Sequence, residues 1–416
     1  MTQKLNKVIE IPTDVCENDI FEIDTNDVGY YTHSFFKYPC KFIPQIPRWA
    51  IKKYSDVNGL VLDCFSGSGT TLVESILHGR NALGVDFDKL SHLLSITKTT
   101  QLSKEEISFA RLYLDKVLSK RVVERNKLPK LENLTHWFSE ETINHLYSIK
   151  ENIDLLQNPR VKNFYLVCFA SLIKKVSRAD SSSPKPYVSK RIPKKEYNVN
   201  ELFKSTVNKY LKSFEKYSDT LLGQAEMISD DARFISNENY IGKVDLAITS
   251  PPYINAFDYV RSLRLENVWL NNFSDEDMQS IKLRQIGTEQ ISVNEYKNEI
   301  KVFGIDLLDE ILKKIFFVDK KRAHVVARYF DDMEKNIISV RKLLKLGAHY
   351  VIVVGDSQIR KIDVPTHEIL IKIAQRNGFK YVTKFSYIIK NRYLRIPRSE
   401  KGGLIKYDWI IDISKE

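Results

Sequence analysis

At 416 residues the chain is long enough for one large α/β domain plus an inserted or appended one. A net charge of +11 suits a polyanionic partner or plain solvation. Four scattered cysteines with no C-x-x-C pair and eight histidines with no H-E-x-x-H spacing indicate neither a disulfide framework nor a metal site. The chain shows no apolar run of membrane length and no signal-peptide pattern at its start, so the expectation is a cytoplasmic protein without a membrane partner.

Residues 1–30 are acidic and poorly patterned, and read as an N-terminal arm that packs late or frays. From 31 the pattern becomes α/β: a Pro-rich entry, a strand over 60–64, a helix over 70–79, a strand over 81–86 and a helix from about 88. Between 103 and 225 the periodicity is helical, as in Ile107, Ala110, Leu114 and Val117. Residues 226–260 return to α/β, and 272–345 are helical and charged again. Strand signals resume over 349–356, followed by a helix over 366–377 with Gly378 as its C-cap, then strands near 380–389 and 408–413. The expected fold is a doubly wound, mostly parallel sheet. Its catalytic domain spans 31–102 and 226–416, and 103–225 forms a mainly helical insertion.

Two motifs carry chemistry. The run Leu60–Asp63 leads into Cys64-Phe65-Ser66-Gly67-Ser68-Gly69-Thr70, a strand, glycine turn and helix start that let backbone N–H groups approach a ligand. Asp86 then ends the second strand, where a carboxylate can accept from ribose hydroxyls. A dinucleotide site would prefer glycine where Leu72 stands, so that fingerprint fails. The second motif is Ser250-Pro251-Pro252-Tyr253 directly behind the apolar run Val244–Thr249. Prolines have no N–H, so the carbonyls of such a turn can point outward to an amino group. Alone it could be a mere strand-ending turn; the paired motifs are far more specific.

Together these residues resemble the S-adenosylmethionine-dependent amino-methyltransferases that act on exocyclic amines of DNA bases. Phe65-Ser66-Gly67-Ser68-Gly69 is similar to their cofactor loop. Ser250-Pro251-Pro252-Tyr253 is similar to their catalytic tetrapeptide, in the serine form most associated with N4-cytosine. His33 to Pro44 resembles the segment that closes over the methionine end of the cofactor, and Asp230-Asp231-Ala232-Arg233 stands where the family keeps an acidic residue near the adenine. The resemblance implies S-adenosylmethionine as cofactor, held by Lys41, Phe42, Asp63, Phe65, Gly67, Gly69, Thr70, Asp86, Asp231 and Ala232. Asp231 is preferred over Asp230 because it directly precedes Ala232-Arg233, and Asp63 could simply tie down the loop. His33 could equally be a surface residue, and Asp258 and Tyr259 could position the catalytic loop or line the base pocket. Cys40 follows a proline, as does the nucleophile of C5-cytosine enzymes, but it precedes the first core strand and is read as packing.

The resemblance makes the insertion a DNA target-recognition region, and its charge agrees. Between Lys174 and Lys216 there are twelve Lys/Arg and four Asp/Glu, 12 − 4 = +8. Arg178, Lys185, Lys190, Arg191, Lys194 and Lys195 are the candidate phosphate contacts, with a solvated linker as the plain alternative. Lys390, Arg392, Arg395, Arg398 and Lys401 form a second basic set in the last hairpin. The expected partners are double-stranded DNA and a restriction endonuclease acting on the same site. N6-adenine or RNA amine methylation are alternative activities, and a DNA-binding protein with a vestigial cofactor pocket is the alternative from another class.

Overall fold

Short runs rich in Val, Ile and Leu bounded by polar turns become the strands of the structure, a computed structural model. It describes residues 5–41, 43–180, 183–189, 194, 196–217, 223–254, 257–296, 299–389 and 406–416. The strands are β1 (Leu5–Val8), β2 (Ile20–Ile23), β3 (Leu60–Asp63), β4 (Asn81–Val85), β5 (Ala225–Ser229), β6 (Val244–Thr249), β7 (Leu344–Gly355), β8 (Ser357–Ile359), β9 (Ile362–Val364), β10 (Phe379–Ile388) and β11 (Tyr407–Lys415). The first helices are α1 (Gln45–Tyr54), α2 (Thr70–Leu77) and α3 (Lys89–Thr99). Next come α4 (Lys104–Val117), α5 (Leu134–Trp137), α6 (Glu140–Asp154), α7 (Pro159–Val176) and α8 (Val199–Lys216). The later helices are α9 (Tyr259–Ser262), α10 (Arg264–Trp269), α11 (Met278–Arg284), α12 (Asp306–Val318), α13 (Lys320–Leu343) and α14 (Thr366–Arg376).

Among the described residues one nine-stranded sheet runs β1-β2-β10-β11-β7-β6-β3-β4-β5, and β8 pairs with β9 in a separate hairpin. Within the large sheet β11 alone opposes its neighbours β10 and β7; every other pairing is parallel. The chain steps outward from β3 to β4 and β5, then returns to β6 on the other side of β3 and continues to β7. That reversal is the topological switch point of a doubly wound sheet, where ligands bind beyond the carboxyl ends of the strands. The expected fold class holds.

Both faces of the sheet are covered, which parallel strands require. Alternate residues serve opposite faces: Leu62 and Ala247 pack with α12, α13 and α14, whereas Val61 and Leu246 pack with Ile46, Trp49 and Ile51 of α1. The helices of 103–225 start cleanly. Ser103 and Glu106 form a capping box on α4, and Asn158 caps α7 with Pro159 in its first turn. Their apolar faces do not form a core of their own. Phe164, Phe169, Phe203 and Phe214 join Val73 and Ile76 of α2, Leu90 and Leu94 of α3, and Phe35 in one cluster. The whole stretch is thus an enlarged crossover between β4 and its parallel neighbour β5.

Residues 5–30, read from the sequence as an arm that packs late or frays, lie along the sheet edge. β1 pairs with β2, β2 joins β10 through Ser386↔Ile20 and Tyr387↔Phe21, and Phe21 is buried edge-on against Phe385. Four-residue strands are too short to show a period in an acidic context, and burial of Phe21 and Ile23 offsets their weak local signal. No helix among the described residues is long and apolar enough to cross a membrane.

Candidate functional site

Because β3 and β6 are paired neighbours (Val61↔Leu246, Leu62↔Ala247), their carboxyl ends bring together residues 186 apart. Thr249 Oγ1 donates to Asp63 Oδ1 at 2.7 Å, and the Phe65 N–H donates to the same oxygen at 3.0 Å. Asp63 is fully buried, and burial pushes its carboxyl up to about 6 against the pull of these donors. Its role in the geometry is to tie the glycine turn to the base of the serine turn.

The glycine turn needs its glycines. Gly67 has φ +50° and Gly69 φ +75°, left-handed values that strain other residues. A Cβ on Gly69 would lie 2.9 Å from Ser95 Oγ and 3.0 Å from Ser95 Cα, so α2 and α3 could not approach. The Gly67 N–H donates to Asp86 Oδ2 at 2.8 Å, and the Asp88 N–H to Asp86 Oδ1 at 2.9 Å. Burial raises the Asp86 carboxyl despite these donors.

A cleft of about 830 Å³, including its open mouth, extends over these strand ends. Its size and mixed lining suit a small-molecule site. Of the expected cofactor residues, Lys41, Phe65, Gly67, Thr70, Asp86, Asp231 and Ala232 line it. Asp63 and Gly69 stand behind it as supports, and Phe42 lies outside the described residues. Of the serine turn, Ser250 and Pro252 line the cleft, while Pro251 is buried beside it. Tyr253 is only partly buried, and its hydroxyl donates to Asp408 of β11.

Asp230 and Asp231 both reach the cleft, with different partners. Arg233 grips Asp231 with two bonds, Nε to Oδ1 at 2.9 Å and Nη2 to Oδ2 at 2.8 Å. Burial pushes the Asp231 carboxyl up, but Arg233 outweighs it and holds the group below the usual range. Asp230 instead accepts from Arg284 Nη2 at 2.6 Å. Arg284 and Ile286, at the end of α11, close this side of the cleft and carried no signal in the sequence. Tyr259, left open between two roles, also lines the cleft, stacked on Tyr38, whose hydroxyl meets Ser91 Oγ at 2.9 Å.

The segment before α1 is pinned from below. Glu74 of α2 is buried and takes His33 Nε2 at 2.7 Å, Arg48 Nε at 2.9 Å and the Tyr30 hydroxyl. Burial pushes His33 down to about 4, so it is a neutral, buried histidine rather than a surface one. Lys41 Nζ donates to the His33 carbonyl at 2.7 Å, which aims the lysine into the cleft. Cys40 also lines the cleft, its thiol pushed up to about 11 by desolvation, so it is not a thiolate near neutrality.

Among the basic residues, Lys185 is exposed, and Arg178 is exposed with Nη1 donating to the Thr135 carbonyl at 2.7 Å. Lys194 turns inward, donating to the Lys174 carbonyl at 2.6 Å, and burial lowers its ammonium to about 8. Lys190, Arg191 and Lys195 lie outside the described residues, as do Lys390, Arg392, Arg395, Arg398 and Lys401.

The chain is similar to several known proteins. Residues 5–97 match the family model for DNA methylases. The Type II methyltransferase M.MvaI of Kocuria varians is 26% identical over 398 residues, covering 88% of this chain and 85% of the relative. M.BsoBI of Geobacillus stearothermophilus, another Type II methyltransferase, is 23% identical over 420 residues, covering 86% and 80%. The solved rRNA methyltransferase aviRa of Streptomyces viridochromogenes aligns over 94% of both chains at 9% identity and a TM-score of 0.34. By these matches the chain is similar to the S-adenosylmethionine-dependent DNA amino-methyltransferases.

The residues present fit that cofactor. Ser68 Oγ is buried at the turn and meets no partner within the protein, although it lines the cleft, so a ligand hydrogen bond is on offer. Gly67 leaves the space beside the Tyr38 ring open, where a Cβ would come within 3.3 Å of Cε1.

Proposed function

We propose that this chain methylates the exocyclic N4 amine of cytosine within a specific sequence of duplex DNA, with adenine N6 as the alternative target. The observation that carries the reading is the opening of the glycine turn and the serine turn into one cleft at the β3–β6 switch point. Serine at the head of the tetrapeptide supports cytosine. The Type II designation of both relatives supports a restriction–modification setting, with an endonuclease directed at the same site.

In this reading Lys41, Phe65, Gly67, Thr70, Asp86, Asp231 and Ala232 hold the cofactor, with Asp86 as acceptor for the ribose. When bound, S-adenosylmethionine supplies an electrophilic methyl group whose sulfonium is its own leaving group. The target nitrogen is conjugated with its ring and is a poor nucleophile. The Ser250 hydroxyl and the Pro251 carbonyl accept its two hydrogens, localise the lone pair and aim it; Tyr253 supports the base. Orientation of this kind accounts for several kcal/mol of barrier reduction, of order 7 or more in well-aligned cases. The nitrogen sheds one proton as the new N–C bond forms. Duplex DNA hides the amine, so the base is flipped out, at a cost of about a few kcal/mol. The exposed Arg178 and Lys185 contact DNA phosphates.

The test is transfer from labelled S-adenosylmethionine to unmethylated mixed-sequence duplex DNA, followed by nucleoside analysis. Label in N4-methylcytosine is expected. Label in N6-methyladenine would overturn the base assignment and leave the mechanism. No label with cofactor bound would turn the reading to a DNA-binding protein with a vestigial pocket.

A further inference from the structure

We propose that Asp408 is a positioning residue of the methyl-transfer site, acting through the hydroxyl of Tyr253, with Tyr387 as its second anchor. Asp408 is the second residue of β11, only 6% exposed, and sits opposite Tyr387 in the β10–β11 register. One carboxylate oxygen accepts from the Tyr253 hydroxyl, and the other accepts from the Tyr387 hydroxyl at 2.7 Å. A buried carboxylate is costly unless its oxygens are satisfied. Here two phenols satisfy both, and one of them belongs to the serine turn. Tyr387 is itself buried on a sheet strand, so the carboxylate is fixed from behind and the Tyr253 ring is fixed from its far end. A tyrosine has two side-chain torsions; a backbone held in a proline turn and a hydroxyl held on Asp408 together fix the first torsion and the position of the ring's far end. Next to it Ser250 and Pro252 face the cleft. The ring that supports the base is thereby held to the same frame as the groups that receive the amine hydrogens. Asp408 stands outside the cleft lining and acts only through these hydroxyls.

The inference rests on the proposed function and deepens it. Misplacement by about 1 Å costs on the order of 100-fold in rate. Asp408→Asn, nearly isosteric, is therefore expected to lower kcat by about 10- to 100-fold on unmethylated phage DNA. KM for DNA, cofactor affinity by calorimetry and the melting temperature should stay near wild type. Tyr253→Phe should lose a similar factor, and the double variant should be no slower than the worse single one, because both remove the same tie. Should Asp408→Asn fail to fold, Tyr253→Phe alone decides, since it keeps the carboxylate. Wild-type kcat in either variant overturns the inference, as do losses that multiply in the double variant. So does a parallel fall in cofactor affinity and stability. A wild-type chain that labels no DNA would take down the functional reading itself, which separates the two failures.

Discussion

Substituting alanine at each of the two turn glycines should separate support from ligand contact. At Gly69 an added Cβ meets Ser95 Oγ at 2.9 Å and Ser95 Cα at 3.0 Å, at φ +75°. The left-handed conformation costs about 1–2 kcal/mol and forced overpacking about 1–3 kcal/mol more, so Gly69→Ala should destabilise the protein by about 2–5 kcal/mol. For a chain of 416 residues a melting temperature lower by about 2–6 °C follows. At Gly67 the φ is +50° and the nearest atom is the Tyr38 ring edge at 3.3 Å, which can give way. Gly67→Ala should therefore cost only the conformational part, about 1–2 kcal/mol. The new methyl group, however, intrudes on the cleft lining. S-adenosylmethionine binding should weaken by about tenfold or more, equivalent to about 1.4 kcal/mol. Differential scanning calorimetry and isothermal titration with the cofactor read the two effects separately. Adding Ser95→Ala to Gly69→Ala should recover only part of the loss, because the clash with the Ser95 backbone remains. A larger melting shift at Gly67 than at Gly69 would refute the division into support and ligand contact.

Ser250→Ala should lower kcat by about 10- to 100-fold, the worth of a lost hydrogen bond to a reacting group, with cofactor affinity unchanged by titration; equal losses would remove Ser250 from the transfer step. Lys185→Ala should weaken DNA binding and reduce the slope of log K against log salt by about one ion, measured by fluorescence anisotropy. Lys194→Ala should leave that slope alone, since its ammonium is spent on the Lys174 carbonyl. Glu266 of α10 is 3% exposed with Oε2 unpartnered, and burial raises its carboxyl to about 7 against the nearby Lys174 and Lys194. The folded state then binds more protons than the unfolded one between the ordinary 4.5 and 7, so stability falls as pH rises through that window. The full penalty, from 4.5 to about 7, is on the order of 3 kcal/mol. Glu266→Gln should raise the melting temperature near pH 8 and change it little near pH 5; a pH-independent difference would sink this reading of the carboxyl.

What the sequence made legible was whatever a short window can carry. The strands at 60–63 and 244–249 are apolar runs ending in diagnostic turns, and the α14 helix stops at Gly378, whose φ is +80°. The meeting of the two motifs followed from the fold class, since doubly wound sheets gather strand ends at one edge. Residues placed by long-range packing were not legible. β1 and β2 gain their order from β10, more than 360 positions away. Arg284 and Ile286 reach the cleft from a charged, irregular stretch, and Asp408 reads along the chain as one polar residue in an alternating strand. Lys194 shows the opposite error: it contributes to a basic run, yet its ammonium faces inward. Charge counted along the chain does not say which way a side chain turns.

The enlarged crossover bears on how the molecule is assembled. β4 and β5 pair in the register Ala82↔Ala225, so that ladder closes only across a loop of 225 − 82 = 143 residues. Loop-closure entropy grows slowly with length, so the equilibrium penalty is modest, but pairings this distant in sequence slow folding. Because Phe164, Phe203 and Phe214 share one apolar cluster with residues of α2 and α3, the basic helices are built into the frame of β4 and β5, the strands that lead to Asp86 and Asp231. Exchanging them for the equivalent region of a relative would therefore require rebuilding the floor of the cofactor cleft. In this chain the helical crossover and the cofactor cleft are inherited as a unit.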